Sequence, residues 1–129
     1  MTDADQSEMT LKNAQKAMQA GDFASAAAMA QAVLDRQPND PDALYIAAVC
    51  ARYESRHSDA ADRLAELKAA APDFGRAFQE EGHLKRKLGD TSAALRAYEL
   101  ATRFNPALLA SWNAQADLNA VFGNEEAAA

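Results

Sequence analysis

Three ladders of residues run through this chain at one interval of 34. Pro38, Pro72 and Pro106 form the first, and Gly21, Ser55, Gly89 and Gly123 the second. Ala26, Ala60, Ala94 and Ala128 form the third. The ladders keep a fixed offset, the glycine position preceding the alanine by 5 and the alanine preceding the proline by 12. A period of this length marks a stack of supersecondary units, none of which buries its apolar face alone.

Each unit reads as helix, tight turn, helix and proline stop. In the third unit the first helix runs from about Gly75 to Leu88. Gly89 closes it, since glycine takes the left-handed conformation at little cost. Asp90 caps a second helix that runs to about Phe104. Asn105-Pro106 stops that helix, because proline lacks the amide donor and disfavours helix in the residue before it. The first unit repeats this with Gly21-Asp22 and Gln37-Pro38, the second with Ser55 and Ala71-Pro72-Asp73. Phe78, Gly82, Ala94, Tyr98 and Ala101 fall at helical spacings, so that Gly82 and Ala94 let the two helices approach while Phe78 and Tyr98 fill the gaps. Trp112 takes the place of Phe78 and Leu44 in the fourth unit. Abundant alanine favours helix, and scarce β-branched residues exclude a sheet.

These ladders resemble the tetratricopeptide repeat family, with units 7–40, 41–74, 75–108 and 109–129. The third unit carries the likeness best, through Gly82, Gly89-Asp90, Ala94, Tyr98, Ala101 and Pro106. The first departs from it, with Thr10 and Ala14 where a bulky residue and glycine are usual. The resemblance implies an all-α fold, a right-handed superhelix of antiparallel helix hairpins with about three and a half repeats. Residues 1–6 are expected to be disordered. The fourth unit's first helix is expected over about Pro106 to Phe122, with Gly123-Asn124-Glu125-Glu126 opening a second helix that does not arrive. The expectation is therefore a fragment of a larger protein. The run PDFGRAFQEEGHLKRKLGDTSAALRAYELATRFNPALLASWNAQADL resembles the N-terminal repeat region of bacterial sulfotransferases that carry such repeats, over about residues 40–120. That resemblance implies a downstream transferase domain beyond Ala129.

The resemblance also implies that the first helix of each hairpin lines a concave groove, and such faces are how helical solenoids bind. In that frame the groove residues are Gln15, Gln19, Tyr45, Val49, Arg52 and Tyr53, then Arg76, Gln79, His83, Arg86 and Lys87, with Asn113 and Asp117 in the last unit. Residues 75–104 carry six basic and four acidic side chains, against seven and twelve in residues 1–74. A locally basic stripe with Tyr45 and Tyr53 beside it suits an acidic peptide or a terminal carboxylate, which arginine grips with both arms of its fork. The alternative reading of Arg86 and Lys87 is a solvated helix end, where cations are stabilising in any case. The carboxylate clamp of chaperone-binding members maps onto Leu11, Gln15, Ile46, Arg76 and Glu80. Only Arg76 has the right charge there, which disfavours that mode.

A net charge of −6 and a pI near 4.8 exclude general nucleic-acid binding. No apolar run is long enough for a membrane span, and the polar start MTDADQSEMT is no secretory signal. A lone Cys50 fits a core position in a reducing, cytoplasmic setting. No cofactor or metal is expected: His57 and His83 stand in separate hairpins, and there is no HExxH, P-loop or GxGxxG. The chain alone is expected not to be an enzyme, and its partner to be a protein or peptide. A second role, assembly beside a downstream enzyme domain, follows from the missing last helix. It would leave Trp112, Leu118 and Val121 open for self-association.

Overall fold

A computed structural model describes residues 2–128, and the side chains of residues 2–123. Among them are seven helices and no strand: α1 (Asp3–Gln19), α2 (Phe23–Arg36), α3 (Pro41–Tyr53), α4 (His57–Ala70), α5 (Gly75–Lys87), α6 (Thr91–Phe104) and α7 (Leu109–Ala128). The chain divides into two units, Met1–Pro72 with α1 to α4 and Asp73–Ala129 with α5 to α7. The division falls at a proline stop. In the first unit α1 packs on α2, α2 on α3 and α3 on α4; in the second, α5 packs on α6 and α6 on α7.

The three hairpin turns are built alike. Gly21 (φ 81°), Ser55 (φ 59°) and Gly89 (φ 84°) all take the left-handed conformation. Each sits after a helix whose free carbonyls are satisfied twice. Gly21 N donates to Met18 O and Asp22 N to Ala17 O. Ser55 N and Arg56 N do the same to Arg52 O and Ala51 O, and Gly89 N and Asp90 N to Arg86 O and Lys85 O. Asp22 and Asp90 then cap the next helix, accepting from Ser25 N and Ala93 N at 3.1 Å each. Arg56 has no such cap; its guanidinium instead reaches Glu54 at 2.7 Å and Asp59 at 3.1 Å. The proline stops are equally regular: Gln37 N, Ala71 N and Asn105 N donate to Val33 O, Leu67 O and Ala101 O, each at 2.8 Å.

Two expectations are corrected. Residues 1–6 are expected to be disordered, yet α1 starts at Asp3. Thr2 supplies the reason, since its hydroxyl accepts from Asp5 N while the Asp5 carboxylate accepts from Thr2 N, a reciprocal cap. Asp3 and Asp5 also place negative charge on the first turn, where the helix dipole favours it. The second correction concerns Gly123. It is expected to turn the chain, but α7 runs through it to Ala128. A glycine inside a helix costs only about 1 kcal/mol, and the Glu125-Glu126-Ala127-Ala128 that follows is strongly helix-forming.

The cores are made of small side chains. Ala14, Ala26, Ala30, Ile46 and Cys50 form one in the first unit, with Leu11, Phe23 and Tyr45 against it. Ala94, Tyr98, Ala114 and Leu118 form one in the second. Helix α3 is buried on nearly every side, including Leu44, Ala48 and Val49.

Candidate functional site

In the first unit the exposed aromatic group stands at the end of α3. Tyr53 is 56% exposed, yet its ring lies flat on Phe23 with centroids 4.4 Å apart and planes within 8°. The Arg52 guanidinium sits 4.4 Å from the Tyr53 ring centroid. Phe23 opens α2 directly after the Gly21-Asp22 turn, so the turn sets the ring under Tyr53. Gln15 and Gln19 are exposed on α1. Tyr45 is half-buried against the core, and Val49 is only 4% exposed. Val49 is thus a core residue, contrary to its expected place in a binding face. It belongs to the side of α3 enclosed by neighbouring helices.

In the second unit Arg76, Gln79, His83, Arg86 and Lys87 do share one stripe of α5, as their spacing requires. The packing uses much of it. Ser111 Oγ of α7 is fully buried and donates to Gln79 Oε1 at 2.7 Å. His83 Nδ1 and the hydroxyl of buried Tyr98 share a hydrogen bond of 2.6 Å, with the rings edge to face. The Arg86 guanidinium lies 3.8 Å from the Asp117 carboxylate of α7. Arg76 is half-buried, its guanidinium 4.9 Å from the Phe74 ring centroid. Lys87 and, on α7, Asn113 are exposed. Gln79 is therefore a helix-to-helix tie more than a contact surface, and Arg86 has part of its charge met within the unit.

Of the five clamp places, Ile46 and Glu80 are buried, Leu11 is half-buried, and only Gln15 and Arg76 offer polar groups on the surface. Glu80 is an acid, buried, at a place where the clamp needs a base on the surface. The arrangement opposes the clamp mode.

The expected self-association end does not form one face. Leu118 is 4% exposed and packed with Tyr98, whereas Trp112 and Val121 are 48% and 46% exposed. At about 100° per residue, nine residues separate Trp112 and Val121 by half a turn. The side of α7 that carries Trp112 carries Leu109, Ala116 and Ala120 as well, all exposed.

Two features escaped the sequence reading. Gln115 Nε2 donates to Tyr98 O, Thr102 Oγ1 and Ser111 O, tying α7 to α6 with polar groups. A cleft of about 330 Å³ also opens between α2 and α4, floored by Ala27, Ala47 and Ala51 and walled by Gln31, Arg56, Asp59, Asp62, Arg63 and Glu66. Arg63 bridges its walls, donating to Gln31 Oε1 and Glu66 Oε2 at 3.1 Å each. The polar spacing of α4 carried that signal, but a repeat frame that assigns binding to the first helix of each hairpin passes over it. Among the described residues no helix is long and apolar enough to cross a membrane, and no three His, Cys, Asp or Glu side chains gather to hold a metal ion.

The model of the Tetratricopeptide repeat family matches residues 11–73. Over that stretch, 63 of the 129 residues, the chain is similar to the tetratricopeptide repeat family. Solved structures extend the tetratricopeptide fold over nearly the whole chain. The first such domain of Spaghetti (RPAP3), bound to the HSP90 peptide SRMEEVD, is 15% identical with a TM-score of 0.81, over 95% of this chain and 97% of that one. The Sgt2 domain from Aspergillus fumigatus is 18% identical with a TM-score of 0.83, over 94% and 82%. A thermophilic tetratricopeptide protein of Thermus thermophilus is 20% identical with a TM-score of 0.79, over 95% and 69%. At these identities the likeness is one of fold. No curated protein matches the sequence significantly.

Proposed function

We propose that this chain is a protein- or peptide-binding scaffold that takes an acidic segment on the first helices of its tetratricopeptide hairpins. The observation that carries the reading is Tyr53, an exposed aromatic ring fixed on Phe23 with Arg52 over it. A ring held in place before binding adds flat apolar contact with little entropy left to lose, which is the character of interface hot spots. Arg52 places a cation beside that contact. Gln15, Gln19 and Tyr45 accompany it in the first unit, and Arg76, His83, Arg86, Lys87 and Asn113 offer the polar surface of the second. The SRMEEVD peptide held by the Spaghetti domain has two glutamates and an aspartate, so the fold accommodates acidic ligands. Here the ligand is held without the clamp, since Ile46 and Glu80 occupy its places.

Selection from a random-peptide library against the immobilised chain tests this. Acidic sequences should be enriched, and Tyr53→Ala should weaken the selected peptides about tenfold or more, worth ~1.4 kcal/mol. The pair Arg76→Glu with Arg86→Glu should abolish binding while helicity by circular dichroism stays unchanged. Enrichment of neutral or basic peptides, or indifference to all three substitutions, refutes the reading. The alternative role, docking beside a downstream enzyme domain such as a sulfotransferase, rests on the resemblance of residues 40–120 and on the open side of α7. The natural reading frame beyond Ala129 decides that question.

A further inference from the structure

Helices α2 and α4 both pack on α3 but not on each other, so the cleft of about 330 Å³ stays open between them. Its floor is made of methyl groups. Ala47 and Ala51 stand one turn apart on α3, and Ala27 of α2 joins them. One wall is a single stripe of α4, since Asp59, Asp62, Arg63 and Glu66 fall at i, i+3, i+4 and i+7.

The two cations on this cleft are already engaged. Arg63 donates to Glu66 Oε2 and, across the cleft, to Gln31 Oε1, both at 3.1 Å. Arg56 donates to Asp59 Oδ2 at 3.1 Å and to Glu54 Oε1 at 2.7 Å. The Gln31 amide is turned to Asp35 Oδ1 at 2.8 Å. The acceptors are less used. Asp59 and Glu66 each keep one carboxylate oxygen outside these bonds, and Asp62 has no ion pair or hydrogen bond among the described residues. Three carboxylates thus face two guanidiniums whose forks are in use, and the cleft is left wanting a donor-rich cation. The unit's other arginines are occupied elsewhere, Arg36 at Gln6 and Arg52 over Tyr53.

We infer that the cleft between α2 and α4 receives an arginine side chain presented by a protein partner. Ligand sites begin at about 300 Å³, so this one admits a long side chain and not a helix. The aliphatic stem lies over the alanine floor, which offers apolar contact without bulk. The guanidinium reaches the α4 wall, where Asp62 and Glu66 are four residues apart and so neighbours on one face. A planar fork with five donors spans two such carboxylates, which the compact ammonium of lysine does not. Arg56 and Arg63 act as positioning residues, holding Asp59 and Glu66 in place before the guest arrives. The cleft takes a cation and is separate from the surface proposed for an acidic segment, so neither reading rests on the other.

Heteronuclear NMR of the isotope-labelled chain, titrated with N-acetyl-arginine methylamide, tests this. N-acetyl-lysine methylamide and sodium chloride at matched concentrations are the controls. Amide shifts should gather on Ala27, Ala47, Ala51 and residues 59–66 and should saturate. The lysine compound should bind about fivefold more weakly. Asp62→Asn should weaken the arginine compound about fivefold, and Ala47→Leu, which fills the floor, should abolish the shifts. Asp62 is exposed, so its variant keeps the fold and carries the test even if leucine at position 47 disturbs α3. Shifts that sodium chloride reproduces, an equal response to lysine, or an affinity unmoved by Asp62→Asn overturns the inference. So do shifts scattered outside the cleft.

Discussion

Gly82 and Tyr98 are in direct ring-to-backbone contact, with the ring carbons Cδ1 and Cε1 standing 2.7 Å from where a Cβ on residue 82 would lie. Tyr98 is fully buried, and its hydroxyl is held by His83. The ring has nowhere to go. Gly82→Ala should therefore destabilise the second unit by about 1–3 kcal/mol, the usual cost of overpacking. Thermal melting followed by circular dichroism reads this. Adding Tyr98→Leu to Gly82→Ala reproduces the Ala48 and Leu64 that stand 34 residues earlier, both buried, in α3 and α4, and should recover part of the loss, so the two changes are non-additive.

Ser55 carries a conformation that glycine carries in the other two turns. A side chain there costs roughly 1–2 kcal/mol, offset in part by the greater freedom glycine has when unfolded. Ser55→Gly should stabilise the protein by about 0.5 kcal/mol, and Gly89→Ala should destabilise it by about 1 kcal/mol. Urea denaturation midpoints with unchanged slope check both. A gain from Gly89→Ala would mean that the left-handed turn is not what ends α5.

Ser111 is fully buried, and its hydroxyl donates to Gln79. Gln79→Ala removes that acceptor, at a cost of about 1–3 kcal/mol. Ser111→Ala alone leaves the longer, half-buried Gln79 free to turn toward water and costs less. The double change, which removes both polar groups, should be less destabilising than Gln79→Ala. Hydrogen exchange localises the effect, with faster exchange expected in α7 for Gln79→Ala alone.

Burial pushes the Cys50 thiol up from 9.0 to about 11, the Glu54 charge adding to it and Arg56 opposing it. The native thiol therefore stays protonated and shielded, and an aromatic disulfide reagent at neutral pH should react only as fast as the first unit opens. The sign of the stability effect follows. Below pH 9 the thiol is protonated in both states and costs nothing. Between pH 9 and pH 11 the unfolded chain loses the proton and the native chain keeps it, so stability falls as pH rises. Cys50→Ala should remove that part of the fall in urea titrations across this window.

The residues that break helices were legible in the sequence because their effects are local. Gly21, Ser55 and Gly89 turn the chain through their own φ, and Pro38, Pro72 and Pro106 act on the residue before them. The close approach of α5 and α6 at Gly82 and Ala94 was legible too, since small residues at fixed intervals imply close helices, whereas the seating of the Tyr98 ring on Gly82 was not. The α5 stripe was placed correctly as a stripe, because periodicity fixes which side chains share a side of a helix.

What meets that side is a different matter, and only the tertiary structure decided it. Gln79 went to Ser111, His83 to Tyr98 and Arg86 to Asp117, pairings that depend on how neighbouring helices rotate about their own axes. The same reason buried Val49 and Leu118. Gly123 shows the boundary most plainly. It stands on the same ladder as Gly21 and Gly89, yet α7 continues through it. Whether a glycine on the ladder ends a helix depends on what packs around that helix, and spacing along the chain does not carry that information.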